Sequence, residues 1–470
     1  MSEKEMSRIN TNDMCLKYIL WITVFLGMFS GAYAQDPPNV ILILVDDMGI
    51  GDVSSVNGGL NRTPALDALK DGGIWCNAAY SGSAVCAPAR ASLLTGKYPH
   101  RTGVVSLSMA TEPWFTSLKT SEVTMADVFR ANNYKTALVG KWHLGMLPPF
   151  HPLKRGFDES YHFVGPDLKT YYNFTLDENG NRKKYKNEYL DDVLTEHAVN
   201  FIKSNKETPF FMHLAYSAPH RPLGGPRELV NHYLEKGFDD KTAKVYAMIE
   251  AMDKGLQKLV NTLEELGISE NTLVIFASDN GQDPGAGTRF NMDQKGKKYT
   301  VYEGGIHIPL LFYWPGHFAP GQVDDVVHFT DIFPTLVDIC GLKAAGRVKK
   351  DFDGVSLSAI LQGTSGSKLP EARFWQWNRH KPFYSHNAAV RLGDWKLVRP
   401  FKDLDHITGE SGLKPLLYHI REDASESGDL SAKYPGKVRQ MLKMLEKWSA
   451  RVEKDRLKNT DFKDEKLINM

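Results

Sequence analysis

The chain predicts an α/β fold: a mixed, mostly parallel sheet flanked by helices, with a smaller C-terminal antiparallel α+β subdomain. Three observations predict it. Short continuous apolar runs alternate with helical patterns, as strands covered on both faces by helices do. Those runs end in clusters of charged and polar residues, where the strand ends of open α/β sheets carry their sites. After about residue 365 the pattern changes to short aromatic strands and a terminal amphipathic helix.

The elements follow in order. Asn39 to Val45, apolar without a break from Val40, reads as a doubly covered strand. Thr63-Pro64 reads as a helix start, with a hydroxyl N-cap and proline in the first turn. Ala89 to Thr95 reads as a helix with Cys86 just before it. Thr136–Gly140, Phe210–Tyr216, Leu273–Ala277 and Pro309–Trp314 read as further strands. Val245, Met248, Ile249, Met252, Leu256, Leu259 and Leu263 keep helical spacing, and Gly267 stops that helix. Pro166 to Lys186 is a long polar insertion, expected to wall a pocket. Gly363 to Ser367 reads as a linker. Beyond it, Phe374–Trp377, Ala388–Arg391 and Trp395–Val398 read as strands. Val438, Met441, Leu442, Leu445 and Trp448 mark one face of a final helix. The expected organisation is a segment 1–34, a main domain 38–365 and a subdomain 366–470.

The 470 residues leave ample core for this plan. Charge is balanced, 57 Lys+Arg against 56 Asp+Glu. That argues against a nucleic-acid partner or an anionic membrane surface, so an anionic substrate needs a local cationic site. Residues 1–34 read as an export signal: Arg8 and Lys17, an apolar run from Tyr18 to Phe29, then Ala32-Tyr33-Ala34 as a small-x-small cleavage site. The run falls short of the roughly 20 apolar residues of a membrane span. The mature protein is therefore expected to be exported without stable membrane insertion, to a periplasmic or extracellular, bacterial setting. Cys15 leaves with the signal. Cys76, Cys86 and Cys340 are too few and scattered for a disulfide framework or zinc cage.

The strand ends bring the chemistry. They deliver Asp46-Asp47, Lys141 and His143, His220, and Asp279-Asn280 to one rim. Asp46, Asp47, Asp279 and Asn280 are hard oxygen donors that suit calcium, or less well magnesium. Either adjacent aspartate alone could instead cap a turn. Lys141, His143, His220 and Arg90 suit an oxyanion with several oxygens. Cys86 stands before a helix, where a thiol pKa is lowered, so a thiolate nucleophile is one reading. Thiolate chemistry usually pairs Cys with a base rather than a hard dication.

Cys86-Ala87-Pro88-Ala89-Arg90, followed by Leu94-Thr95-Gly96, resembles the signature of the type I sulfatases. Asp46-Asp47, Gly140-Lys141-Trp142-His143, Pro219-His220 and Ser278-Asp279-Asn280-Gly281 are similar to that family's other motifs. Lys298, five residues before Glu303-Gly304-Gly305, falls where the family keeps a second sulfate-contacting lysine. The resemblance covers nearly the whole mature chain. It implies an alkaline-phosphatase-like core and Cα-formylglycine made from Cys86 by a maturation enzyme. It also implies Ca2+ at Asp46, Asp47, Asp279, Asn280 and residue 86, and hydrolysis of sulfate esters on a carbohydrate. Cys86, Arg90, Lys141, His143, His220 and Lys298 are then the expected catalytic set. Ala89 replaces a frequent serine, and His307 stands where the family commonly has arginine, expected to alter support of the site or substrate contact. Arg289, His307, Trp377 and Arg379 are further candidates for substrate contact, the tryptophan alternatively packing the subdomain. The competing functions are a phosphomonoester or phosphonate-ester hydrolase on the same scaffold, and a non-catalytic sulfated-glycan-binding protein.

Overall fold

The computed structural model describes residues 37–107, 113–163, 168–364, 369–400, 412–458 and 461. The expected signal with Cys15, and residues 365–367 of the expected linker, lie outside the described residues. Pro38–Met470 form one compact unit.

Ten strands make the main sheet: β1 (Asn39–Val45), β2 (Ile74–Tyr80), β3 (Lys135–Gly140), β4 (Glu159–Phe163), β5 (Asn173–Glu178), β6 (Asn181–Lys186), β7 (Phe210–Ala215), β8 (Thr272–Ser278), β9 (Leu310–Tyr313) and β10 (Gly321–His328). Their order is β10-β2-β9-β8-β1-β7-β3-β4-β5-β6. The central block β8-β1-β7-β3-β4 is parallel. β9 and the β5–β6 hairpin run antiparallel to their neighbours. β1 shows why an unbroken apolar run is needed at the centre. Ile41, Ile43 and Val45 face one core, shared with helices Leu190–Ser204 and Asp240–Glu265. Val40, Leu42 and Leu44 face the other, shared with Ala87, Leu93 and Phe333. Alternate residues serve opposite layers.

All five strands expected before residue 365 form. β4, β10 and the hairpin were not legible, being short or rich in polar residues, and neither was β2, an apolar run interrupted by Asn77. The polar insertion is mostly that hairpin, which widens the sheet and also sets Asp177, Gly180 and Arg182 in the wall of a cavity, as expected of it. It turns at Asn179-Gly180 with φ of 56° and 90°, the left-handed pair a tight hairpin needs. The helix Pro64–Gly72 (α1) starts where expected, but Thr63 does not cap it. Asp253 of the helix Asp240–Glu265 does so, accepting the Ala65 and Leu66 N–H groups at 3.0 and 2.8 Å.

The C-terminal sheet runs β11 (Ala372–Gln376), β12 (Ala388–Leu392), β13 (Trp395–Arg399), β14 (Leu416–His419), antiparallel throughout. One face buries Val390, Leu397 and Leu417 under Met441, Leu445 and Trp448 of the final helix, Pro435–Arg456. The other packs Trp375, Ala389, Val398 and Tyr418 onto Tyr80, Val301 and Ile306 of the main body.

Candidate active site

Four neighbouring strands, β8, β1, β7 and β3, end together. β1 leads into Asp46 and Asp47, β3 into Lys141 and His143, β7 into His220, and β8 into Asp279 and Asn280. Backbone bonds lock the rim. Asp279 N–H donates to Val45 O (3.0 Å), Asp46 N–H to Ala218 O (3.1 Å) and Lys141 N–H to Ala215 O (2.8 Å). Gly140 is required there: its φ is +108°, and a Cβ would stand 1.9 Å from Ala215 O.

Cys86 is the first residue of its helix, Cys86–Thr95 (α2), rather than the residue before it. It is buried, its Sγ 3.9 Å from Asp47 Oδ1. Burial pushes the thiol well above its ordinary pKa, and the Asp46 charge adds to this; Lys141 and Lys298 pull back without prevailing. Burial therefore works against the helix N-terminus at this thiol.

The cations interlock with the carboxylates. Lys141 Nζ lies 2.5 Å from Asp46 Oδ2 and Lys298 Nζ 2.7 Å from Asp47 Oδ2. Arg90 grips Asp279 Oδ2 through Nε (3.0 Å) and Nη2 (2.7 Å), and reaches Lys141 O through Nη1 (3.2 Å). His220 Nε2 is 3.7 Å from Asp47 Oδ2, and Tyr171 donates its hydroxyl to His220 O at 2.9 Å. Burial raises the Asp46 pKa, but Lys141, His220 and Arg90 outweigh it and hold Asp46 well below the usual range. Asp279 is pushed up to about 7 by burial and by Asp46, against Arg90. Burial, with Lys141 and Arg90 nearby, keeps His143 well below its ordinary value and so neutral. His143 Nε2 faces Leu107 O at 3.2 Å, while its buried Nδ1 has no partner.

Asp46, Asp47, Cys86 and Asp279 present ligand atoms within 4.8 Å of one another. Asp46 Oδ1 and Asn280 Oδ1 are buried and accept no hydrogen bond. Unsatisfied hard oxygens in a closed cluster of carboxylates are what a hard dication satisfies, so these residues fit the expected metal. Arg90, Lys141, His220 and Lys298 all join the cluster, and His143 borders it.

The four expected substrate contacts fare differently. Arg289 is buried and spent: Nε and Nη2 reach Asp52 at 2.8 and 3.2 Å, and Nη1 reaches Ala286 O at 2.7 Å. An arginine loop neighbour of the metal pair looked free only because its partner lies far off in sequence. His307 is also spent, with Nδ1 on Gln294 (2.6 Å), Nε2 on Asn77 O (2.9 Å) and its ring stacked on Tyr80. Trp377 is buried against Tyr299, ring centroids 5.6 Å apart, so it packs and does not present a sugar platform. Arg379 is exposed. Tyr299 itself was overlooked, though it follows Lys298. Its φ of +81° is a rare left-handed bulky residue. The Tyr299 N–H donates to Ala84 O (2.9 Å), Asn387 Nδ2 donates to Tyr299 O (2.6 Å), and Lys298 Nζ sits 5.5 Å from its ring.

Fold and rim together define an α/β ester hydrolase of the alkaline-phosphatase-like class. The sulfatase family profile matches residues 38–342. A second, described as N-sulphoglucosamine sulphohydrolase, C-terminal, matches residues 295–451. The chain belongs to the sulfatase family and is a sulfuric ester hydrolase. It is 33% identical over 458 residues to N-acetylgalactosamine-6-sulfatase of Mus musculus, covering 88% of this chain and 85% of that one. It is 29% identical to the uncharacterized sulfatase YdeN of Escherichia coli, covering 82% and 77%. The crystal structure of Ps i-CgsB with k-i-k-neocarrahexaose superposes with a TM-score of 0.78 at 31% identity, covering 88% and 93%. Phosphonate monoester hydrolase of Agrobacterium radiobacter shares the fold at 21% identity and TM-score 0.65. Among the described residues no helix is long and apolar enough to cross a membrane.

Proposed function

We propose that the chain removes O-sulfate from a glycan, using residue 86 as formylglycine and Ca2+ held by Asp46, Asp47, Asp279, Asn280 and residue 86. The observation that carries this reading is the closed cluster of Asp46, Asp47, Cys86 and Asp279, with Lys141 and Lys298 on its carboxylates. When bound, the dication supplies positive charge for sulfate oxygens and lowers the pKa of a nearby hydroxyl. Converted to formylglycine, residue 86 would supply a hydrated aldehyde with two hydroxyls, one to accept a sulfo group and the other to allow its release. Asp279, in the same cluster as residue 86, accepts the proton of the attacking hydroxyl. Lys141, Lys298 and His220 donate to the sulfate oxygens, and His220 or Lys298 protonates the departing alcohol. His143, held neutral, takes the proton of the second hydroxyl. Arg90 fixes Asp279 and the Lys141 carbonyl.

A carbohydrate substrate is supported by the names of the relatives, one an N-acetylgalactosamine-6-sulfatase and one solved with a neocarrahexaose. Export through the 1–34 segment to a bacterial periplasm or exterior fits polymeric glycans. The test is mass spectrometry of the tryptic peptide ending at Arg90, from protein made with its maturation enzyme, beside rates on sulfated glycans. Loss of one sulfur and two hydrogens for one oxygen, together with glycan desulfation, is expected. Turnover by protein carrying intact Cys86, or faster hydrolysis of phosphate or phosphonate esters, overturns it.

A further inference from the structure

We propose that His151, His162 and Asp177 form a second metal site, separate from the carboxylate rim, for a zinc-type transition-metal dication. The sheet itself sets two of the ligands side by side. His162 on β4 and Asp177 on β5 are direct antiparallel partners, so their side chains share a face. His151 comes over them from the loop before the short turn Pro152–Lys154. Its Nε2 lies 3.5 Å from Asp177 Oδ1, and its ring meets the His162 ring at 5.0 Å and 74°. One ligand atom from each of the three residues lies within 4.8 Å of the others.

Two further observations point to a ligand. His162 is 6% exposed, yet its Nδ1 has no hydrogen-bond partner, and neither has the buried His151 Nε2. Two orphaned imidazole nitrogens beside a carboxylate are a costly arrangement for a protein to keep unless something binds them. Asp177 Oδ1 already accepts the Gly180 N–H at 2.6 Å, the kind of support that holds a metal-binding carboxylate in place. Ligands about 2.0–2.1 Å from a tetrahedral zinc lie about 3.3 Å apart, close to the observed His151–Asp177 spacing. Two nitrogens and one oxygen select a borderline dication over calcium, which takes oxygens alone. His151 Nδ1 accepts the Leu153 N–H at 3.2 Å. Binding through Nε2 moves the ring proton to Nδ1, which turns that long hydrogen bond into two facing donors, a cost the metal–nitrogen bond must offset.

Three ligands leave a coordination position open. The three residues line a cavity of about 410 Å³ that also includes Trp142, His143 and Arg182. The second site thus borders a space that reaches the catalytic rim, where a fourth oxygen ligand can come from water or from a molecule in the cavity.

The experiment uses the full chain, stripped of metal and reloaded with excess Ca2+. It is then titrated with Zn2+ by calorimetry, and with Co2+ by visible absorption. One equivalent of Zn2+ that Ca2+ does not displace is expected, with the intense visible bands of four-coordinate Co2+. His162→Ala and, independently, the more exposed His151→Gln should each lose that equivalent while keeping their circular dichroism. Asp279→Asn should retain it. Zn2+ bound only in competition with Ca2+, an unchanged Co2+ spectrum in both histidine variants, or no Zn2+ bound at all overturns the proposal.

Discussion

Two buried charged clusters invite comparison. One is the rim at the ends of β1, β3, β7 and β8. The other lies where the C-terminal sheet meets the main body. There Glu303 Oε1 meets Lys396 Nζ at 2.7 Å, and Glu303 Oε2 accepts the Tyr80 hydroxyl at 2.6 Å. Glu426 Oε2 accepts the Glu303 N–H at 2.7 Å, its other oxygen is 3.0 Å from Lys396 Nζ, and Arg391 closes on Tyr80. Both clusters set acids against bases. The difference is how far the protein answers its own carboxylates. At the junction both Glu303 oxygens are used, and Glu426 Oε1, which accepts no hydrogen bond, still lies 3.0 Å from the Lys396 ammonium. At the rim Asp46 Oδ1 and Asn280 Oδ1 accept no hydrogen bond. Buried charge closed on itself specifies packing, whereas the same charge left open specifies a ligand.

The largest effect that could break this contrast is catalytic. Lys298→Ala should lower kcat by about 10²–10³-fold, the range for losing one preorganised donor. In Ca2+ its melting temperature should move little, because the dication offsets the carboxylates. A variant that melts early and keeps its rate would make the rim structural. Next, Glu303→Ala should lose stability toward the low end of the about 3–5 kcal/mol for breaking a buried pair, because Lys396 keeps only Glu426 and Tyr80 loses its acceptor. Denaturant unfolding measures it, and a neutral result would mean that the junction is not closed.

Arg289→Ala sharpens the boundary between the two kinds of cluster. It leaves Asp52 buried without its partner, so stability should fall within that same range while KM for a sulfated glycan holds. A selective rise in KM would return Arg289 to substrate binding. The smallest effect concerns pH. Burial pushes Glu426 up to about 7, from the usual 4.5, even with Lys396 beside it. Between those values the folded chain binds more protons than the unfolded one, so this group makes stability fall as pH rises. Glu303 is opposite: burial would raise it, but Lys396 and Arg391 hold it down at about 2. Its contribution is full above about 4.5 and is lost as pH falls toward 2. Glu426→Gln should flatten the slope from about pH 4.5 to 7 and leave the acid limb intact; an unchanged slope would assign it elsewhere.

Much of the rim was legible because of where strands end. An apolar run such as Asn39–Val45 must be a central strand, and the polar residues that stop it must lie at the carboxyl edge of the sheet. That reasoning reaches Asp46, Lys141, His220 and Asp279 without a structure. Cys86 and Lys298 needed motif resemblance, because β2, the strand before Cys86, was itself not legible and Lys298 lies in a long loop after β8. The partners of Arg289 and His307 were illegible: Asp52 and Asn77 lie hundreds of residues away in sequence. Tyr299 was hidden because a backbone angle has no sequence signature outside glycine. β4 was hidden because it is short and half polar, and the hairpin because β6 exposes Arg182, Lys183, Lys184 and Lys186.

The sequence by itself determined the class of fold, the central strands, the final helix and the donor types at the rim. Periodicity and strand-end chemistry are local properties, and the chain carries them wherever it goes. Only the tertiary structure decided which charges are spent and which are left open. That depends on contacts between distant segments: Arg289 with Asp52, Lys298 with Asp47, His162 with Asp177. Burial then sets their worth, since a carboxylate paired within the protein and one awaiting a cation are the same residue until the fold removes the water around it.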